Sequence, residues 1–144
     1  MFTHYSLRFF YPKLSFGKRT TEIIYIILQT LLIITLWYNY NKWYTLVNFS
    51  YAIILLGLVY NLKRELLESF LPTFTVILIP FLIVNGVLTG SFIEDQVVWY
   101  DNTENLGIRI FTIPIEDSIY ALTMLLTVFV VMEKVNSLQG IRKR

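Results

Sequence analysis

Residues 85–117 read NGVLTGSFIEDQVVWYDNTENLGIRIFTIPIED, a polar and aromatic block set between two apolar runs. It opens on Asn85, Thr89 and Gly90, passes through Trp99, Tyr100, Asp101, Glu104 and Arg109, and ends on Pro114-Ile-Glu-Asp117. From residue 118 to 132 the chain is again mostly apolar. An acidic pair at the mouth of such a run is costly, because one acidic residue at the centre of a membrane helix costs roughly 2.5–3.5 kcal/mol, and less near its end. Carboxyls placed where lipid, protein and water meet are candidates for proton chemistry on an apolar substrate.

Composition sets the class. Of 144 residues 56% are hydrophobic and 15% charged, with a mean hydropathy of +0.59. A soluble domain of this size cannot hide so much apolar side chain, which points to an integral membrane protein. There is no cysteine, so disulfides, thiolate chemistry and Cys-ligated metals are excluded. His4 is the only histidine and lies in a polar stretch, so no metal site is expected. A net charge of +2 makes no case for nucleic acid. The first apolar run begins near Ile23, behind a long basic stretch, and no cleavable signal is read. The six glycines form no dinucleotide or P-loop pattern, and zincin and serine-elbow motifs are missing, so no cofactor is expected.

Four apolar runs, about 23–38, 43–61, 70–89 and 114–133, predict an all-α integral membrane bundle of about four transmembrane helices. Each approaches the ~20 residues needed to cross a ~30 Å hydrocarbon core. Residues 1–22 read as a cytoplasmic N-terminal segment or linker and 134–144 as a basic cytoplasmic tail, flanking a membrane domain over 23–133. Trp37, Tyr38, Tyr40, Trp43 and Tyr44 read as interfacial anchors. Ten of the twelve basic residues fall on one side of a four-span arrangement, with Lys42 and Arg109 on the other. By the positive-inside rule both termini are cytoplasmic, and the chain is a multi-pass protein of the cell membrane. The long third connection then faces outward with Glu94, Asp95, Asp101 and Glu104. Pro72 suits the first turn of the third helix, Pro80 kinks it, and Gly86 and Gly90 permit close helix approach.

Glu116, Tyr120, Thr123 and Thr127 follow a 4-3-4 spacing, one polar stripe down an apolar helix. Two readings stand: acidic residues complementing a helix dipole with a packing stripe below them, or a functional face. Helix three offers Thr75, Leu82, Asn85 and Thr89 in roughly one sector, with Asn85 either bonding between helices or holding a carboxyl. Gln29 reads as packing, and Asn48 is less telling. In the loop, Trp99 and Tyr100 read as anchors or as site walls. Glu104 and Arg109 read as a loop salt bridge or, if they contact the carboxyls, as groups that tune them.

Together, Pro80-Phe-Leu-Ile-Val-Asn-Gly-Val-Leu-Thr-Gly90, Val98-Trp-Tyr100, Glu104-Asn-Leu-Gly-Ile-Arg109 and Ile113-Pro-Ile-Glu-Asp117 resemble the lycopene cyclase domain family of membrane-embedded carotenoid cyclases. The resemblance implies a redox-neutral reaction. An acid protonates the terminal double bond of an acyclic carotenoid end, the next double bond attacks the cation, and a base removes a ring proton to leave a β-ionone ring. Glu116 and Asp117 match the family's acidic motif and are the implied acid and base, with Glu116 favoured as donor. Tyr120, Trp99 and Tyr100 would stabilise the cation, while Asn85, Thr89, Glu104 and Arg109 would line the site or tune the carboxyls. The implied partners are an apolar carotenoid such as lycopene or γ-carotene, the lipid bilayer, and a second cyclase half or another subunit. Family members combine two halves, each with such a motif, and this chain carries one motif and resembles the C-terminal half. The competing expectations are a non-catalytic membrane subunit or scaffold, and a small four-helix transporter. The last is disfavoured by acids at a helix mouth rather than near the midplane.

Overall fold

The computed structural model describes residues 15–91 and 96–142, with side chains described through Val135. His4, Glu94 and Asp95 lie outside the described residues, as do the basic residues Arg8, Lys13, Lys143 and Arg144. Among the described residues four long helices, α1 (Lys18–Tyr38), α2 (Trp43–Leu62), α3 (Arg64–Leu88) and α4 (Ile115–Arg142), make up the bundle. A short hairpin of β1 (Arg109–Ile110) and β2 (Ile113–Pro114) leads into α4. All four helices are long and apolar enough to cross a membrane. Their outer faces are apolar: Ile23, Ile26, Ile27, Leu31 and Ile34 of α1 and Ile79, Ile83 and Val84 of α3 are all exposed. A bundle meant for water would place polar residues there.

The helices outrun the apolar runs. α1 begins at Lys18, ahead of Ile23, and α3 at Arg64, ahead of Phe70, so Lys63 alone separates α2 from α3. Hydropathy marks apolar residues, but Lys, Arg and Glu propagate a helix nearly as well as Leu does. Pro72 consequently lies inside α3 rather than in its first turn. Lacking an N–H, it leaves the Glu68 carbonyl four residues back without its usual donor. The Phe16 amide fills that vacancy at 2.9 Å. Thr21, fully buried, donates its hydroxyl to the Phe16 carbonyl at 3.4 Å.

α2 is the central helix, packed most extensively on α4 and then on α1. The core joins Phe49, Ala52 and Leu56 of α2 to Leu67, Phe70 and Phe74 of α3 and Leu122 and Leu126 of α4. Phe70 sits edge-on to Phe129 at 5.3 Å. Gln29 donates to the Ile53 carbonyl at 3.1 Å, so it serves packing between α1 and α2. One end of the bundle is fastened by ion pairs, Arg64–Glu22 at 2.9 Å and Lys63–Glu133 at 3.2 Å. Beside them Tyr60 stacks on Tyr25 at 3.9 Å and lies 5.0 Å from the Arg64 guanidinium.

The opposite end carries the loop between α3 and α4. Gly90 closes α3 in a left-handed conformation (φ 88°), with its amide on the Val87 carbonyl and that of Ser91 on the Gly86 carbonyl. This is a Schellman cap, and it is the reason glycine stands at that position. The amides of Val97 and Val98 return to the Leu88 carbonyl. In the hairpin Arg109 pairs with Pro114 and Ile110 with Ile113, so the turn is Phe111-Thr112. Phe111 takes a positive φ of 57°, the conformation that tight hairpin turns need at their first central residue. The hairpin delivers the buried Ile113 and Pro114 directly to the first turn of α4.

A buried carboxyl pair at the start of helix α4

Successive helical residues point about 100° apart. Glu116 and Asp117, in the first turn of α4, therefore meet different neighbours. Glu116 is fully buried against the start of α2. Its Oε1 accepts from the Thr45 hydroxyl at 2.8 Å and from the Leu106 amide at 2.7 Å. Its carbonyl accepts from the Asn48 amide side chain at 3.1 Å. Its Oε2 is buried with no hydrogen-bond partner among the described residues. Asp117, 3% exposed, is the opposite case. Its Oδ1 accepts from the Tyr44 phenol at 2.6 Å. Its Oδ2 accepts from Asn85 at 3.3 Å and from Tyr100 in a short bond. Three donors thus converge on this one carboxyl.

Four segments build this cluster. Glu104 joins the loop to α2: its side chain accepts from the Trp43 amide and its carbonyl from the Tyr44 amide, both at 3.0 Å. These are among the N–H groups that every helix leaves unpaired at its start, and a carboxylate there also complements the dipole. Tyr44, read from the sequence as an interfacial anchor, sets its hydroxyl on Asp117. Its ring lies 6.1 Å from that of Tyr100. Arg109 donates to the Thr112 carbonyl and to Asn102, both at 2.6 Å, and its guanidinium lies 5.9 Å from the Tyr100 ring. Burial and the hydrogen bond to Asp117 push the Tyr100 phenol well above its ordinary pKa, with Asp117's charge adding to the effect.

The expected site residues thus divide. Asn85 and Tyr100 touch Asp117 directly. Thr89 bonds Thr112 and the Asn85 carbonyl, one step removed from the carboxyls. Glu104 and Arg109 do not pair with each other or with Glu116 or Asp117; both organise the loop. Trp99 is 78% exposed and bonded to none of these groups. Tyr120 is half exposed and lines a groove of about 480 Å³ between α2 and α4, with Tyr44, Asn48, Tyr51, Thr123 and Thr127. The polar stripe of α4 therefore borders a cavity below Glu116. Thr123 and Thr127 satisfy their hydroxyls on carbonyls of their own helix, and Tyr51 reaches Thr127 at 2.6 Å. Of the helix-three sector, Asn85 and Thr89 reach this end, while Thr75 bonds its own backbone. A second groove of about 660 Å³ lies between α1 and α2, lined by Ile33, Leu36, Trp37, Tyr40, Leu46 and Ile53, with no carboxyl.

Tyr44, Thr45 and Asn48 are the members that the sequence concealed. Their signal was present as three polar residues at i, i+1 and i+4 opening an otherwise apolar helix. Among the described residues no group of three or more His, Cys, Asp and Glu converges as a metal site.

No curated protein and no solved structure matches the chain. The family model for lycopene cyclase matches residues 41–135. That span is about two thirds of the chain and contains Tyr44, Thr45, Asn85, Tyr100, Leu106, Glu116 and Asp117, the whole cluster; the chain belongs to the lycopene cyclase family.

Proposed function

We propose that this chain is one half of a membrane-embedded lycopene β-cyclase that closes acyclic carotenoid ends by proton transfer. The observation that carries the reading is the asymmetry of the carboxyl pair. Glu116 has one oxygen engaged by two donors and the other unpartnered, the arrangement of an acid holding a proton on its free oxygen. Asp117 accepts three hydrogen bonds, the arrangement of a charged carboxylate beside it. One environment suits proton donation and the other proton acceptance, and such a split sets acid and base roles.

In this reading Glu116 protonates the terminal double bond of lycopene, whose electron pair forms the new C–H bond, once the Asn48 side chain that stands between Glu116 and the groove gives way to the substrate end. The adjacent carbon becomes a tertiary cation and is attacked by the neighbouring double bond, closing the ring. Loss of a ring proton restores a double bond, so the reaction consumes no net proton and no redox equivalent. The carotenoid end enters laterally from the bilayer through the groove between α2 and α4, where Tyr44 and Tyr120 present aromatic rings to the cation. A desolvated cation–π contact contributes about 2 kcal/mol. The loop and hairpin shut water from the carboxyls, which would otherwise trap the cation as an alcohol. By the positive-inside rule, the gathering of Lys and Arg on one side of the four spans supports cytoplasmic termini and an outward-facing carboxyl end. A companion half, bearing its own acidic motif, completes the enzyme.

A second reading, a non-catalytic subunit retained for assembly, is favoured by one observation: Glu116 is fully buried and lies behind the groove wall rather than on it. Pigment analysis in lycopene-accumulating bacteria separates the two. The chain is expressed alone and with a first-half companion. Conversion to γ- or β-carotene that disappears with Glu116→Gln supports the cyclase. Conversion that survives Glu116→Gln assigns this chain the assembly role.

A further inference from the structure

We infer that the group receiving the ring proton from the substrate is the phenol of Tyr44, with Asp117 behind it as the final holder of the proton. The inference rests on the cyclase reading and assigns that reaction a further catalytic residue. Asp117 does not line the α2–α4 groove, and one of its oxygens is closed off by Asn85 and Tyr100. Tyr44 does line the groove, and its hydroxyl donates to the other oxygen at 2.6 Å. Asn48 also lines the groove, but its bond reaches the Glu116 backbone carbonyl and no carboxyl. Of the residues lining the groove, Tyr44 is the one whose side chain bonds a carboxyl, so the shortest path from groove to Asp117 runs along its ring to its hydroxyl. That hydroxyl is held in place: the backbone of Tyr44 is fixed by Glu104 and its ring packs near Tyr100.

A phenol alone is a weak base, but one already hydrogen-bonded to a carboxylate accepts a proton as it passes on its own. The C–H bond flanking the ring cation breaks, and its electron pair becomes the ring double bond. The proton joins the Tyr44 oxygen while the Tyr44 proton moves to Asp117 Oδ1. Tyrosine is unchanged, Asp117 becomes a neutral acid, and a proton must then return to Glu116 before the next turnover.

The test is Tyr44→Phe in membranes supplied with lycopene in heavy water, with the companion half present. Loss of a positioned acid–base group lowers turnover by about 100-fold or more. With the acid intact and the base route cut, protonation becomes reversible, and unreacted lycopene recovered from Tyr44→Phe carries deuterium, whereas that from Glu116→Gln does not. A Tyr44→Phe variant that cyclises at the wild-type rate overturns the assignment. So does one that is slowed but leaves lycopene unlabelled, because then the acid step or the fold has failed. A wild-type protein that forms no cyclic product, alone or with the companion, overturns the cyclase reading itself, and the role of Tyr44 falls with it.

Discussion

At the scale of single residues, two adjacent carboxyls differ because a helix turns them toward different donors. Glu116→Gln preserves a carbonyl oxygen for Thr45 and Leu106 and removes the carboxyl on which the proposed proton transfer depends. It should insert into the membrane normally and lose cyclisation by at least about 100-fold, read by pigment chromatography. Asp117→Asn acts otherwise. It presents an amide to three groups that donate to Asp117, so at least one half-buried donor loses its acceptor, at about 1 kcal/mol. The expected result is a lower midpoint in detergent thermal unfolding, with insertion retained. Tyr100 gives a pH signature. Its folded pKa lies above that of the unfolded chain, so its contribution is fully present below the ordinary tyrosine pKa of about 10 and is lost as pH rises above it toward the folded value. Wild-type stability should therefore fall in alkaline solution above about pH 10, and Tyr100→Phe should flatten that fall. An equal decline in both proteins would remove Tyr100 from the account.

At the scale of elements, the apolar runs made four helices legible, because runs of about 16–20 mostly apolar residues have few other solutions. Helix limits were less legible, since polar helix formers continue α1 and α3 beyond what lipid requires. The acidic motif was legible as well, being costly where it stands. Its surroundings were not, because they depend on which residue of a distant helix turns inward. Tyr44 reads as an interfacial anchor, and the bond from its hydroxyl to Asp117, 73 residues away in sequence, is visible only in the folded chain. Two element-level features are open to test. Gly90→Ala forces a side chain into a left-handed cap and should cost about 1–2 kcal/mol in thermal unfolding. Pro72→Ala supplies an amide that competes for the Glu68 carbonyl. Hydrogen exchange at the Phe16 amide should then accelerate, with cyclisation unaffected; unchanged exchange would show that Phe16 is held by other contacts.

At the scale of the whole molecule, the fastenings lie at two ends. Partly exposed ion pairs join the helices at one end, and buried hydrogen bonds join them at the other, with apolar contact between. The lack of native cysteine makes orientation directly measurable. Ile108→Cys, in the loop beside the site, should react with a membrane-impermeant maleimide added to intact cells, and Glu65→Cys only after lysis. The reverse pattern would invert the proposed orientation. A larger consequence follows from the bond between the Leu106 amide and Glu116. Leu106→Ala would leave that bond in place, because the donor is the backbone, and would report only the loss of Leu106 packing against the core. The contact is invisible to genetics conducted in the alphabet of side chains. Leu106→Pro, or an ester in place of the amide linkage, is the kind of change that would expose it.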